Sequence, residues 1–410
     1  MTKYASTALS VALAGLLPAA LAAQEEGTLR LATWDDEESL EIIESIAAAF
    51  EAAHPGTDVQ IEAYGDGYDT KLSAAMGAGN APDVMYMWNF PAYAASLMPL
   101  NDFIERDGAE MDIDDISPAL LDVSRIDGNV YGMPAGFTTH VIFYNRDLLE
   151  EAGVAEPEAG WTWSDLREKA AAASDPENQV YGFAVDARPD PYDFEQFYWS
   201  NGTQFISDDG TEIDGYMNSP EGAEVLNMFA DMIASGEAVA LNIGDDVSGS
   251  ALFRGGNLAM FEGAMWNKGG IDESGIDYGI VGLPAFEGKP VKSAINSSAV
   301  SISADTDNPE LAWDFVKFFS SPEAVAMRVN DLPVRASVAA ETGQADDPML
   351  APFFEMLEVS EGTSPAFLKH EDWARMQENL SAAIEATMIE GGNAQAHLDD
   401  AVRRSARFLR

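Results

Sequence analysis

Cysteine is absent from the whole 410-residue chain, which excludes disulfides, thiolate-bound metals and a lipid-bearing N-terminal cysteine. Positive charge is scarce. Lys and Arg number 22 against 70 Asp and Glu, a formal net charge of −48 that repels nucleic acid and anionic membrane as partners. Histidine is rarer still, and His54, His140, His370 and His397 show no metal-ligand spacing. There is no G-x-x-x-x-G-K-[ST] phosphate loop, no G-x-S-x-G nucleophile elbow and no dinucleotide glycine pattern after the first strand. Among so many acids a carboxylate pair of the glycosidase kind arises by chance, so its presence argues nothing. No internal repeat of roughly 20 to 50 residues is found. Past residue 23, no apolar run approaches the ~18 residues of a membrane span.

What the chain does hold is a hydrophobic fraction of 47%, enough over this length to bury a large core in two or three domain-sized units. Residues 1–22 carry one early charge, Lys3, then a short apolar run ending in small residues at Ala20 and Ala22, the pattern of a cleaved signal peptide. Loss of Lys3 with that peptide takes the net charge from −48 to −49. An exported chain without an anchoring cysteine is expected in the periplasm, with no membrane-inserted segment. The acids are spread over the whole length and read as a solvated surface; neither a metal nor a cofactor is expected.

Residues 28–34 (TLRLATW) alternate apolar and polar and predict a strand. Leu40, Ile43, Ile46, Ala47 and Phe50 then recur at helical spacing until His54-Pro55-Gly56 stops the helix. A second strand over 58–64, a helix over 68–78 and a third strand over 83–88 complete a β-α-β-α-β order. That order predicts a parallel, doubly wound sheet with right-handed crossovers. Ligands bind beyond the carboxyl ends of such strands, where Trp34, Tyr64 and Trp88 stand. These rings either stack on a ligand or cover the sheet end. Asp35 and Asp36 follow the first strand as helix caps or hydroxyl acceptors, and Asn89 follows the third. Further on, Ser164 is expected to cap a helix, with Trp161 and Trp163 in the core. A strand over 180–186 leads into Arg188-Pro189-Asp190-Pro191-Tyr192, a proline-fixed loop that presents a carboxylate and a ring.

The stretch from 127 to 154, DGNVYGMPAGFTTHVIFYNRDLLEEAGV, organises the rest. A turn at Asp127-Gly128-Asn129 opens it, and two short apolar strands follow, over 130–134 and 141–144. A glycine-broken segment (AGFTTH) separates them, and Asn145 caps the next helix. This suits a chain passing between two lobes. The pattern D-G-x-x-Y-G-x-P, a short spacer, then F-Y-N-x-D-L-L-x-x-A-G resembles family 1 of the bacterial extracellular solute-binding proteins, the group of the maltose-binding protein. The segment FRGGNLAMFEGAMW at 253–266, the run N-P-E-x-A-W-x-F from Asn308, and Pro333-x-Arg335 resemble further signatures of that family, in order.

The resemblance implies an α/β, two-lobed periplasmic binding protein fold. Each lobe would be a mainly parallel sheet flanked by helices, with a ligand cleft between lobes and a hinge of crossover strands. The N-terminal lobe would comprise 23–136 plus 300–331, and the C-terminal lobe 137–299 plus 332–410. It also implies a monomer, not an enzyme, that captures a sugar or sugar-like solute and delivers it to the membrane permease of an ABC importer. The contacts implied are Trp34, Asp35, Asp36, Trp88 and Asn89 in the first lobe, and Phe137 and Thr138 at the first crossover. Asn296 is implied at the return crossover, and Asp190, Tyr192, Trp266, Arg335 and Trp373 beyond. Thr138 stands where the maltose binder has a carboxylate, which argues against disaccharide recognition of that type. Rings with short polar groups match a neutral, hydroxyl-rich ligand. A polyamine or betaine held in an aromatic cage, an exported carbohydrate-active enzyme, and a sensor subunit are the alternatives.

Overall fold

The structure, a computed structural model, describes residues 27–35, 37–241, 248–329 and 331–409. The expected signal peptide and Asp36 lie outside the described residues. The longer strands are β1 (Gly27–Thr33), β2 (Thr57–Ala63), β3 (Val84–Met87), β4 (Met133–Thr139) and β5 (Val141–Asn145), then β6 (Phe183–Asp186), β7 (Ala238–Leu241), β8 (Met260–Gly263), β9 (Tyr278–Gly282) and β10 (Ile295–Ile302).

The first sheet has the order β2-β1-β3-β10-β4. Strand β1 runs parallel to β2 and β3, whereas β10 is antiparallel to both β3 and β4. Helices cover it, as the spacing of apolar residues predicts. Glu37–Ala53 buries Ile43, Ile46 and Phe50, and Pro309–Phe319 buries Trp313, Val316 and Phe319. Phe50 meets Phe315 edge-on at 5.1 Å, joining the two helices over the sheet. Each large apolar side chain so buried contributes about 1.5–3 kcal/mol.

The second lobe repeats this plan. Strand β5 lies between β8 and β9, antiparallel to both, and β6 pairs parallel with β7. A parallel bridge from Tyr181 to Leu258 joins the two groups. Each sheet therefore has four strands in one direction and a single reversed strand, and the reversed strand is the one that arrives from the other lobe: β10 in the first, β5 in the second. The sign of that strand has a geometric consequence. Gly263 and Gly282, the carboxyl ends of β8 and β9, both pair with Val141 at the start of β5, while Thr139 at the end of β4 pairs with Ile295 at the start of β10. The carboxyl edges of the two sheets thus converge on the crossings.

Two local expectations are corrected. Gly136 does not end the crossover strand, because β4 is buried along its length and pairs with β10 on both sides of it. The irregularity lies beside it in β4, where Ala135 has no partner between the pairs Gly136–Ser298 and Pro134–Ala299. The helix Trp163–Ala173 is capped not by Ser164 but by Thr162, whose hydroxyl accepts from the Asp165 N–H while the Asp165 carboxylate accepts from the Thr162 N–H. Trp161 and Trp163 are buried as expected.

Close backbone approach makes Gly182 indispensable to the second lobe. A Cβ there would sit 2.0 Å from the Ala170 carbonyl oxygen, main chain in the last turn of the helix Trp163–Ala173. Gly182→Ala should destabilise the protein by ~3 kcal/mol, read as a lower midpoint of urea unfolding; an unchanged midpoint contradicts this packing.

Candidate functional site

The first-lobe edge is built from residues just past the ends of β1 and β3. The Trp34 ring stacks on Tyr86 at 4.8 Å and meets Tyr68 edge-on at 5.2 Å. The Tyr68 hydroxyl donates to the Tyr86 carbonyl at 2.7 Å, so the shelf under Trp34 is rigid. Asp35 accepts from the Thr33 hydroxyl, and its N–H donates back to that oxygen at 3.1 Å. Burial raises the Asp35 carboxyl above its ordinary value, and the Thr33 hydroxyl and the charge of Arg328 restrain the rise. Trp88 stands 48% exposed at the end of β3. Asn89 follows, opening the turn Phe90–Tyr93 with its side chain uncommitted to the cap.

Between the lobes the crossing is pinned by His140. The buried imidazole has Nδ1 against the Glu262 carboxylate and Nε2 at 2.9 Å from Asn296 Oδ1 and 3.3 Å from Asp193 Oδ1. Asn296 Nδ2 donates to Asp193 Oδ1 at 3.1 Å, and Gln196 Nε2 donates to Glu262 Oε1 at 3.0 Å. One ring thus ties β10, β8 and the helix Pro191–Ser200 to the junction of β4 and β5. Beside it, Thr138 Oγ1 accepts from the Met265 N–H at 3.0 Å, which fixes the start of the helix Met265–Ser274. That helix carries Trp266, 59% exposed, with its ring edge-on to His140 at 5.7 Å. Asp190 caps Pro191–Ser200 by accepting from the Tyr192 N–H at 2.8 Å.

The result is a cleft floor of rings and hydrogen-bonding groups between two sheet edges, the place where a two-lobed α/β protein holds a ligand. The sequence profile of the bacterial extracellular solute-binding proteins matches residues 34–326. The chain belongs to that family. It is 26% identical over 371 residues to a galactooligosaccharide-binding protein of Bacillus subtilis, covering 84% of this chain and 81% of that one. It is 22% identical over 420 residues to an sn-glycerol-3-phosphate-binding periplasmic protein of Brucella suis, with 96% of both chains covered. Among solved structures, the sugar-binding protein MalE of Xanthomonas citri superposes with a TM-score of 0.81 over 93% of this chain and 97% of that one, at 21% identity. Among the described residues of this solute-binding protein, no helix is long and apolar enough to cross a membrane.

Of the residues the sequence pointed to, the structure brings Trp34, Asp35, Trp88 and Asn89 to one edge, and Asp190, Tyr192 and Trp266 to the other, with Thr138 and Asn296 between them. Four of the expected contacts are otherwise engaged. The Tyr192 hydroxyl donates to the Ile295 carbonyl and its ring meets Phe367 edge-on at 5.2 Å, so it braces the return crossing. Phe137 is buried beside Leu332 and Phe354. Arg335 is 1% exposed and donates to the carbonyls of Ser320, Asp112 and Met111, far into the first lobe's packing. Trp373 is buried and stacked on Phe205 at 5.9 Å in the second lobe.

His140, Asp193, Gln196 and Glu262 were not anticipated. The available signals were a histidine directly after a crossover strand, and Asp193 with Gln196 one helical turn apart behind the Pro191 start.

Burial opposes charge on His140, but the carboxylates of Glu262 and then Asp193 outweigh it and raise the imidazole well above its ordinary value. Burial likewise opposes ionisation of Asp193, and His140 outweighs it, lowering that carboxyl. A raised imidazole contributes stability fully below its unfolded value of 6.5 and loses it as pH climbs through the folded value. The lowered Asp193 behaves oppositely, contributing above 3.8 and losing the contribution as pH falls through its folded value. The melting temperature of the wild type should therefore exceed that of His140→Gln most between about pH 4 and 6.5, and the gap should narrow as pH rises above that window. Curves that stay parallel from this window into the alkaline range contradict the assignment.

Proposed function

We propose that this solute-binding protein serves an ABC-type importer, capturing a neutral sugar or sugar-like solute between its lobes and presenting it to a membrane permease. The observation that carries this reading is Trp266. A ring left 59% exposed, on a helix start held by Thr138 and beside the His140 cluster, offers the stacking face that the CH surface of a sugar ring seeks. Asp35, Asp190, Asn89 and Asn296 supply acceptors and donors around it for hydroxyls. Trp34 and Trp88 offer further ring surface from the first lobe. The galactooligosaccharide binder among its relatives supports the same class.

The protein would act in the periplasm as a monomer after loss of residues 1–22. We place the lobe boundary at the crossings themselves. Residues 27–139 and 295–343 form the first lobe, because Ser337 and Arg335 bond to Asp115 and Asp112 there. Residues 141–294, with the helices after 350, form the second. Capture would proceed by hinge closure, the ligand stabilising the closed form through contacts to both lobes. Catalysis is not part of this reading, since Asp193 and Glu262 are committed to His140, Asn296 and Gln196.

A thermal-shift screen against neutral mono- to tetrasaccharides, polyols, betaines and polyamines tests this, followed by calorimetry and product analysis of each hit. An intact neutral saccharide at a hundred times its Kd should add about 2.7 kcal/mol of stability. Trp266→Ala should weaken that saccharide at least ~10-fold, about 1.4 kcal/mol, with an unchanged melting temperature because little of the ring is packed. Stabilisation by cations alone, or breakdown of the sugar, overturns the proposal.

A further inference from the structure

Arg328 has no role in the site as described, yet it is the most conspicuous unsatisfied group near it. It follows the helix Pro322–Met327, is 8% exposed, and among the described residues its Nη1 has no hydrogen-bond partner. A buried guanidinium nitrogen left unpaired costs stability, so such groups mark places where an acceptor is expected.

The surroundings say where it stands. Nη2 donates to Asp331 Oδ2 at 2.5 Å. The guanidinium carbon lies 5.1 Å from the Phe319 ring centre and 6.0 Å from that of Tyr86, the ring on which Trp34 stacks. Its charge acts on Asp35, which directly follows Trp34. A Cβ at Gly136 of β4 would come 3.2 Å from Nη2 and 3.5 Å from the Asp331 carboxyl carbon. Gly136, next to the bulge in the crossover strand, leaves room for this ion pair. Arg328 is thus packed among the ends of β1 and β3 and the crossover, at the carboxyl edge that forms the first-lobe half of the cleft.

We infer that Arg328 is a specificity-determining residue whose Nη1 donates to a hydroxyl or ring oxygen of a neutral solute, with Asp35 accepting from an adjacent hydroxyl. This rests on the proposed function and narrows its substrate class. Asp331 already pairs with the single guanidinium, Asp35 lies within reach of its charge, and the chain as a whole carries a large excess of negative charge. A phosphate or carboxylate on the solute would meet repulsion that a neutral diol does not. The site accordingly departs from the glycerol-phosphate binder among its relatives and takes uncharged polyhydroxylated rings.

Galactotriose, maltotriose, glycerol and sn-glycerol 3-phosphate are the probes, titrated by calorimetry into the wild type and into Arg328→Lys. The variant keeps the charge and can keep the Asp331 pair, but its single nitrogen cannot also occupy the place of Nη1. The expected result is that at least one trisaccharide binds the wild type, that its Kd rises at least ~10-fold in Arg328→Lys, and that glycerol 3-phosphate binds neither. Equal trisaccharide affinity in the two proteins overturns the inference and leaves the proposed function standing. Tighter binding of glycerol 3-phosphate than of any neutral probe overturns the assignment of a neutral class. Failure of every saccharide to bind the wild type overturns the proposed function, and this inference with it. If Arg328→Lys does not fold, a crystal structure of the unaltered protein with the bound trisaccharide decides. A ligand oxygen within about 3 Å of Nη1 supports the role, and a ligand out of hydrogen-bond reach overturns it.

Discussion

Everything about the cleft depends on the chain crossing twice between two sheets and entering each as its one reversed strand. Because β5 and β10 run against their neighbours, the carboxyl ends of the other strands in both sheets face the same gap. That arrangement puts Trp34 and Asp35 on the edge of one sheet and Trp266 and Asp190 on the edge of the other. The crossings are also where main-chain atoms are held hardest. The His140 N–H donates to the Ser293 hydroxyl at 2.8 Å, and the Thr139 hydroxyl donates to the Phe353 carbonyl at 2.8 Å.

A chain with a net charge of −48 meets a particular problem at such a junction, since carboxylates gathered there repel one another and lose hydration. The two lobes solve it in parallel. In the second, His140 sits between Glu262 and Asp193, and its charge compensates theirs. In the first, Arg328 pairs with Asp331 and its charge acts on Asp35. Each cation is buried and each is set beside an aromatic ring at the cleft, Trp266 for His140 and Tyr86 for Arg328. The difference lies in saturation. Both nitrogens of the His140 ring are engaged by the protein, whereas Nη1 of Arg328 is buried without a partner, the position that the proposed ligand contact would fill.

The fold was legible because its signals are local. The alternation in residues 28–34, the helical spacing from Leu40 to Phe50 and the β-α-β-α-β order follow from backbone periodicity, and all are realised. The strand-end rings were legible for the same reason, since a parallel sheet has only one carboxyl edge. What local pattern could not reveal was pairing at long range. Gly136 has the look of a break, whereas β4 runs through it and only the neighbouring Ala135 falls out of the pairing with β10. The His140 cluster joins residues 140, 193, 262 and 296, whose proximity exists only after both crossings are made. Arg335 and Trp373 show the converse, since their chemistry suits a ligand while both side chains are buried in the packing of a lobe.

The central claim is that a solute is captured by closing one lobe onto the other. In this structure the turn Phe90–Tyr93 of the first lobe lies against Ala366–Lys369 of the second, a contact away from the crossings. Ala92 and Ser364 are exposed beside those two turns, and the absence of native cysteine lets Ala92→Cys and Ser364→Cys carry the only two spin labels. The most direct measurement is the distance distribution between those labels, before and after addition of a neutral saccharide shown to bind. The account predicts that the saccharide narrows the distribution onto the short distance seen here; a distribution that does not change on saturation contradicts capture by closure.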